Sequence, residues 1–262
     1  MKLPCRLTVI ALCGALSACV TVADDAALKP ASPTVGDEAP ERLRARLRTQ
    51  LAASYFEIGN MSVALEEIKE ALRADPNYGP AYNVAGLIYA RLKEDRMAEQ
   101  SFQRAISINP GDHDALNNYG QYLCQRGQER ESIKYFLAAV KNPLYPFPDR
   151  SYVNAGVCSR RAGNPADADE YFRAALKVRP NQPQALYHLA DMAYGRGDLN
   201  AAKANLSLLA QAGVDTPEVL WLGLRVVRKL GDRTAEASYA SQLRNKFPKS
   251  AETRMLNAGQ YE

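Results

Sequence analysis

The chain is poor in the residues on which most enzymes depend. Its 262 residues hold two histidines, His113 and His188, and they lie in different parts of the sequence. No Gly-rich phosphate loop, metal-spaced His/Cys cluster or nucleophile elbow occurs. These absences predict a protein without catalysis, cofactor, metal or small-molecule substrate. Excess charge is also scarce: 33 basic and 29 acidic side chains leave a formal +4, of which Lys2 and Arg6 supply two. The remainder is near neutral, which argues against nucleic acid as a partner. No apolar run is long enough for a permanent membrane span; "LTVIALCGAL" (7–16) is too short. What is present, 47% hydrophobic and 24% charged residues, suits an ordinary folded chain with a large core in one or two domains.

The N-terminus has the parts of an export signal: basic Lys2 and Arg6, the apolar run, then small residues at "SAC". Cleavage after Ala18 by an ordinary signal peptidase would put Leu16 at position −3, a poor fit. "LSAC" (16–19) instead resembles the bacterial lipobox, which implies that Cys19 is lipidated, with palmitate among its acyl chains, and becomes the first residue. The alternative is a plain cleaved signal with a chance cysteine. Three acyl chains, as on known bacterial lipoproteins, would make a firm anchor. By the same resemblance Val20, which is not Asp, leaves the protein free to reach the outer membrane and face the periplasm. "TVADDAALKPASPTVGDEAPE" (21–41) has no apolar period and reads as a tether. The division is therefore 1–18 signal peptide, 19–41 lipidated flexible tether and 42–262 folded domain.

Self-comparison of 42–262 yields a period of 34. "ALEEIKEALRADPN", "AEQSFQRAISINPG" and "ADEYFRAALKVRPN" are variants of one unit, ending near Pro76, Pro110 and Pro180. The small, aromatic and proline positions are those of the tetratricopeptide (TPR) repeat, and six units fit: 45–78, 79–112, 113–148, 149–182, 183–215 and 216–249. Each is a helix pair too small to bury its own apolar face, so neighbours must stack. Small residues such as Gly86, Gly120 and Gly156 allow close helix approach, while Phe102, Phe136 and Phe172 fill the space behind. The expected fold is all-α, a right-handed TPR superhelix whose first helices line a groove. Such a fold binds, but does not name its ligand.

With Cys5, Cys13 and Cys19 assigned to the signal and lipobox, Cys124 and Cys158 remain in the folded part. Export places them in an oxidising compartment. The third repeat is two residues longer than the period, so Cys124 falls at position 12 of its repeat and Cys158 at position 10 of the next. Two residues turn a side chain by about 200° around a helix, which lets one thiol face forward and the other back. A disulfide between them is expected, contributing on the order of 3 kcal/mol; two buried free thiols are the alternative.

Together, the lipoprotein signal, six TPR units, "LNNYGQYLC" and the paired "VCSRRAGN" resemble the PilW/PilF family of type IV pilus biogenesis and stability proteins. The resemblance implies a pilotin: a lipoprotein that brings subunits of the pilus secretin, the outer-membrane pore, to the outer membrane and helps them multimerise, as pilus biogenesis and twitching motility require. An accessory TPR lipoprotein of outer-membrane barrel assembly or cell-wall synthesis is the alternative. A monomer anchored by its lipid is expected in either case. The fifth repeat departs from the pattern, with Leu209 at a small-residue position and "AGVDTP" for the usual exit.

Groove-facing TPR positions nominate Asn83, Leu87, Asn117, Asn118, Gln121, Arg150, Asn154, Val157 and Arg161, then Tyr187, His188, Asp191 and Tyr194. Asparagine both donates and accepts, which suits an extended peptide backbone. Alternatively, these asparagines brace neighbouring helices. The lysines of the TPR clamp for terminal carboxylates are missing, so that activity is not expected. Val84 and Leu87 beside Tyr55 and Phe56 form either a second contact surface or core. The basic run "RLRARLR" (42–48) reads as a solvated helix face, or else as one that leans on lipid phosphates.

Overall fold

The computed structural model describes residues 38–261. The signal peptide, Cys19 and the tether up to residue 37 lie outside them. All regular structure among the described residues is helical: α1 (Pro40–Glu57), α2 (Met61–Ala74), α3 (Gly79–Leu92), α4 (Asp95–Ile108), α5 (His113–Gln125), α6 (Glu129–Ala139), α7 (Pro148–Arg161), α8 (Pro165–Val178), α9 (Pro183–Gly195), α10 (Leu199–Gln211), α11 (Pro217–Lys229), α12 (Arg233–Lys246) and α13 (Ala251–Asn257). They form six antiparallel pairs and a last short helix, an all-α TPR superhelix. None of the described helices is long and apolar enough to cross a membrane.

Local chemistry explains where the helices begin and end. Pro40, Pro148, Pro165, Pro183 and Pro217 open helices, where a missing N–H costs nothing. Asp112, Asp198 and Asp232 cap α5, α10 and α12 through their carboxylates. Asp75, Asn109 and Arg179 each precede a proline and take extended backbone, with ψ of 99°, 94° and 100°, ending α2, α4 and α8. Between the helices of a pair the chain turns through positive φ. Five of the six turns use glycine; the second uses Lys93 at φ 63°, which is unfavourable for a residue with a Cβ.

Within each pair, two positions are sized to one another. A Cβ on Gly86, Gly120, Gly156 or Gly223 would lie within 2.8 Å of the Phe102, Phe136, Phe172 or Tyr239 ring. The first and fifth pairs instead carry Ala52 against Ile68 and Ala190 against Leu206, all buried. Glycine accompanies a ring and alanine accompanies an aliphatic chain, so the sum of the two volumes is kept. This compensation keeps the fifth unit in the stack, with Leu209 fully buried among Leu206, Leu222 and Val226.

The third unit differs in its exit. α6 stops at Ala139, and "KNPLYPFP" loops out before folding Tyr145 back against Leu116 and Ala139. Its ring stacks on His113 at 4.6 Å, and the Asn142 amide donates to the Gly111 carbonyl at 2.8 Å. The extra length is thus absorbed outside the helices. In the structure a disulfide joins Cys124 of α5 to Cys158 of α7, Cα atoms 6.0 Å apart, both buried.

Two ends of the domain are not as the repeat pattern suggests. α1 begins at Pro40, inside the tract read as tether, and its Arg42 pairs with Asp75 at 3.2 Å and its Arg48 with Glu67 at 2.7 Å. At the other end α13 brings Leu256 onto Leu220, Trp221, Leu224 and Leu243, covering apolar surface that a seventh repeat would otherwise bury.

Candidate partner-binding surface

The first helices of the pairs carry the residues nominated for the groove, and the structure divides them into braces and free groups. Asn83 is buried, 7% exposed, and its amide oxygen accepts from Asn118 Nδ2 at 3.2 Å. One pair along, Asn117 Oδ1 accepts from Ser151 Oγ at 2.8 Å and from Asn154 Nδ2 at 3.1 Å. The four asparagines therefore tie α3 to α5 and α5 to α7, the bracing alternative. Asn83 is too deeply buried, with its oxygen already engaged by Asn118, to present itself to a peptide. Tyr55, Phe56 and Val84 pack on the core of the first pairs.

Leu87 and Gln121 line an open cleft of about 450 Å³ together with Phe56, Tyr122, Arg91 and Arg126. Its rings are held by cations, Arg91 5.3 Å from the Phe56 centroid and Arg126 5.3 Å from that of Tyr122. The Tyr122 hydroxyl donates to the Asp95 carbonyl at 3.1 Å, while Arg126 pairs with the Asp95 carboxylate. Behind them Tyr119 is buried, its hydroxyl pushed up to about 12 mainly by burial, so it stays a neutral hydrogen-bonding group. This cleft offers apolar and cationic surface side by side.

Arg150 lies over the Phe147 ring at 4.3 Å. Arg161 is exposed, with Nη1 3.9 Å from Cys124 Sγ. Its neighbour Arg160 is the better connected: Nη2 donates to Asp191 at 2.8 Å and Nη1 meets His188 Nδ1 at 3.1 Å. Arginine only donates, so Nδ1 accepts and the proton sits on Nε2. Burial first, and the Arg160 charge second, lower His188 to about 4; it is neutral at pH 7 and stacks on Phe172 at 4.8 Å. Tyr187 is half-buried beside it, edge-on at 5.6 Å, and Val157 is half-buried in the adjoining core.

Models of the tetratricopeptide repeat match residues 49–113, 101–134 and 159–222. Across the length of the chain, the type IV pilus assembly protein PilF of Pseudomonas aeruginosa is 30% identical over 243 residues, 93% of this chain and 94% of that protein. The chain belongs to the PilF/PilW family. Among solved structures, PilW, described as a widely conserved type IV pilus biogenesis factor, is 32% identical with a TM-score of 0.71, covering 81% of this chain and 98% of PilW. Pseudomonas aeruginosa PilF gives 28% and 0.75, covering 84% and 100%.

In this PilF/PilW-family chain, sequence reasoning overlooked several groups that line the groove. Arg160 occupies a groove position as eligible as that of Arg161, and only the packing of α7 against α9 singles it out. Arg225, Arg228 and Lys229 lie in the sixth unit, and Tyr261 lies beyond the last repeat. Three cations within the last five residues of α11 were the available signal.

Proposed function

We propose that this chain is a non-catalytic scaffold of type IV pilus biogenesis: a pilotin, lipidated at Cys19, that brings secretin subunits to the outer membrane and promotes their multimerisation. The observation that carries the proposal is the relationship to PilF along nearly all of both chains, supported by the lipobox-like "LSAC". The cleft around Leu87 and Gln121 is the proposed partner contact in the first half of the domain, since it joins exposed apolar surface to hydrogen-bonding groups that no brace consumes. Arg150, Arg161 and Tyr187 extend the candidate surface along the groove.

The test is genetic and biochemical. In a strain lacking the protein, outer-membrane fractions are blotted for heat-stable secretin multimers, with wild type or Cys19→Ala added back. Loss of multimers and of twitching motility, restored only by the lipidated form, is the expected result. Multimers at normal level and location in the deletion strain would overturn the pilotin reading.

A further inference from the structure

Two clefts of about 490 and 480 Å³ open where α9 and α11 end, and they share Tyr194 and Arg225. Five cations line them: Arg160, Arg196, Arg225, Arg228 and Lys229. Three have a carboxylate each, Arg160 with Asp191 at 2.8 Å, Arg196 with Asp169 at 3.6 Å and Arg228 with Glu236. Arg225 and Lys229 have none among the described residues. Both instead sit over one ring, that of Tyr194, at 4.5 and 4.4 Å from its centroid. Arg225 also donates from Nε to the Tyr261 carbonyl at 3.1 Å, and Arg228 covers the Tyr261 ring at 3.8 Å.

Among the described residues this arrangement has an unmet electrostatic demand. Arg225 and Lys229 are four apart on α11, a spacing at which like charges repel by a few tenths of a kcal/mol. A carboxylate placed between them would turn that repulsion into two attractions. The shape and the lining narrow the source of the carboxylate. Joined end to end, the clefts are longer than a single ion needs, and Met192, Tyr194 and Tyr261 supply an apolar floor. An extended peptide fills that length and lays apolar side chains on the floor while its acidic side chains meet the cations, which a single phosphate does not do.

We infer that the Tyr194–Arg225–Lys229 cleft docks an extended, acidic peptide segment of a partner protein. The inference does not depend on which pilus component supplies the segment, and so stands apart from the secretin assignment.

Fluorescence anisotropy on the detergent-solubilised full chain tests it. The probes are labelled Gly-Asp-Glu-Phe-Glu-Asp-Gly and its uncharged counterpart Gly-Asn-Gln-Phe-Gln-Asn-Gly. The acidic probe should bind about tenfold tighter or better, weaken with added salt, and lose that advantage in Arg225→Gln and Lys229→Gln. Lys229→Arg and the exposed, off-site Lys177→Gln should bind as wild type does, which separates cleft chemistry from net charge. Equal binding of the two probes, or equal loss in Lys177→Gln, would overturn the proposal. So would binding to phosphatidylglycerol vesicles that depends on Arg225 and Lys229 without binding of the peptide, because the cleft would then be a headgroup site.

Discussion

Replacing Gly156 by alanine and Phe172 by leucine should damage the protein singly and much less together. A Cβ at Gly156 would stand 2.6 Å from Phe172 Cε1 and 2.8 Å from two further ring carbons, where carbon atoms prefer about 3.5–4.0 Å. The ring is fully buried and cannot swing away. Overpacking of this kind costs about 1–3 kcal/mol, offset by about 1 kcal/mol of helix propensity, for a net loss of about 0–2 kcal/mol. Phe172→Leu alone leaves a partial cavity and loses about 1–2 kcal/mol. The double variant rebuilds the Ala190–Leu206 pairing of the fifth unit, so its loss should fall at least ~1 kcal/mol short of the sum. The lost Phe172–His188 stacking is common to both leucine variants and drops out of the cycle. Urea unfolding followed by circular dichroism on the four proteins, with slopes checked for equality, measures this. Additive losses, within ~0.5 kcal/mol, would refute the idea that glycine and ring are sized to one another.

Other consequences are equally direct. Reduction of the Cys124–Cys158 bond, or Cys124→Ser with Cys158→Ser, reopens a loop with a sequence separation of 34. It should lower stability by about 3–4 kcal/mol, visible as a drop in the urea midpoint with and without reductant. His188 has its folded pKa lowered to about 4, below its unfolded value, so its stabilising contribution is complete above about pH 6.5 and is lost as pH falls towards 4. His188→Gln should flatten the stability-versus-pH curve across that window relative to wild type, by about 2–3 kcal/mol at its acid end. Asp149, buried on α7, accepts from Gln182 Nε2 at 3.0 Å and pairs with Arg179 at 3.3 Å. Asp149→Ala strands the buried Gln182 amide and should cost about 2–3 kcal/mol in the same unfolding assay.

How much of this was legible in the sequence depends on how local each cause is. The 34-residue period was legible because a ring at Phe102, Phe136 or Phe172 demands a glycine sixteen residues earlier, and both partners recur in the text. The weak fifth repeat was legible only as an anomaly. That Ala190 with Leu206 keeps the same total volume is apparent once the pair is seen in contact. The end of the domain was not legible. α13 repeats nothing upstream, and its role is to cover Leu220 and Trp221.

The groove was the hardest part to read, for a physical reason. Position within a repeat places a side chain on the inner face of a first helix, but it does not say whether the neighbouring helix brings a partner to it. Asn83 and Gln121 are equally polar and equally inward by period. One is consumed by Asn118, and the other lines an open cleft.

The sequence by itself determined the repeat, the helix boundaries and the stacking, because prolines, capping aspartates and small–large pairs act over at most one repeat length. Only the tertiary structure decided which polar groups remain free, since that depends on distances between helices 30 or more residues apart. It is by such distances that Arg160 is matched to Asp191, and that Arg225 and Lys229 lie over one tyrosine ring without a counter-charge among the described residues.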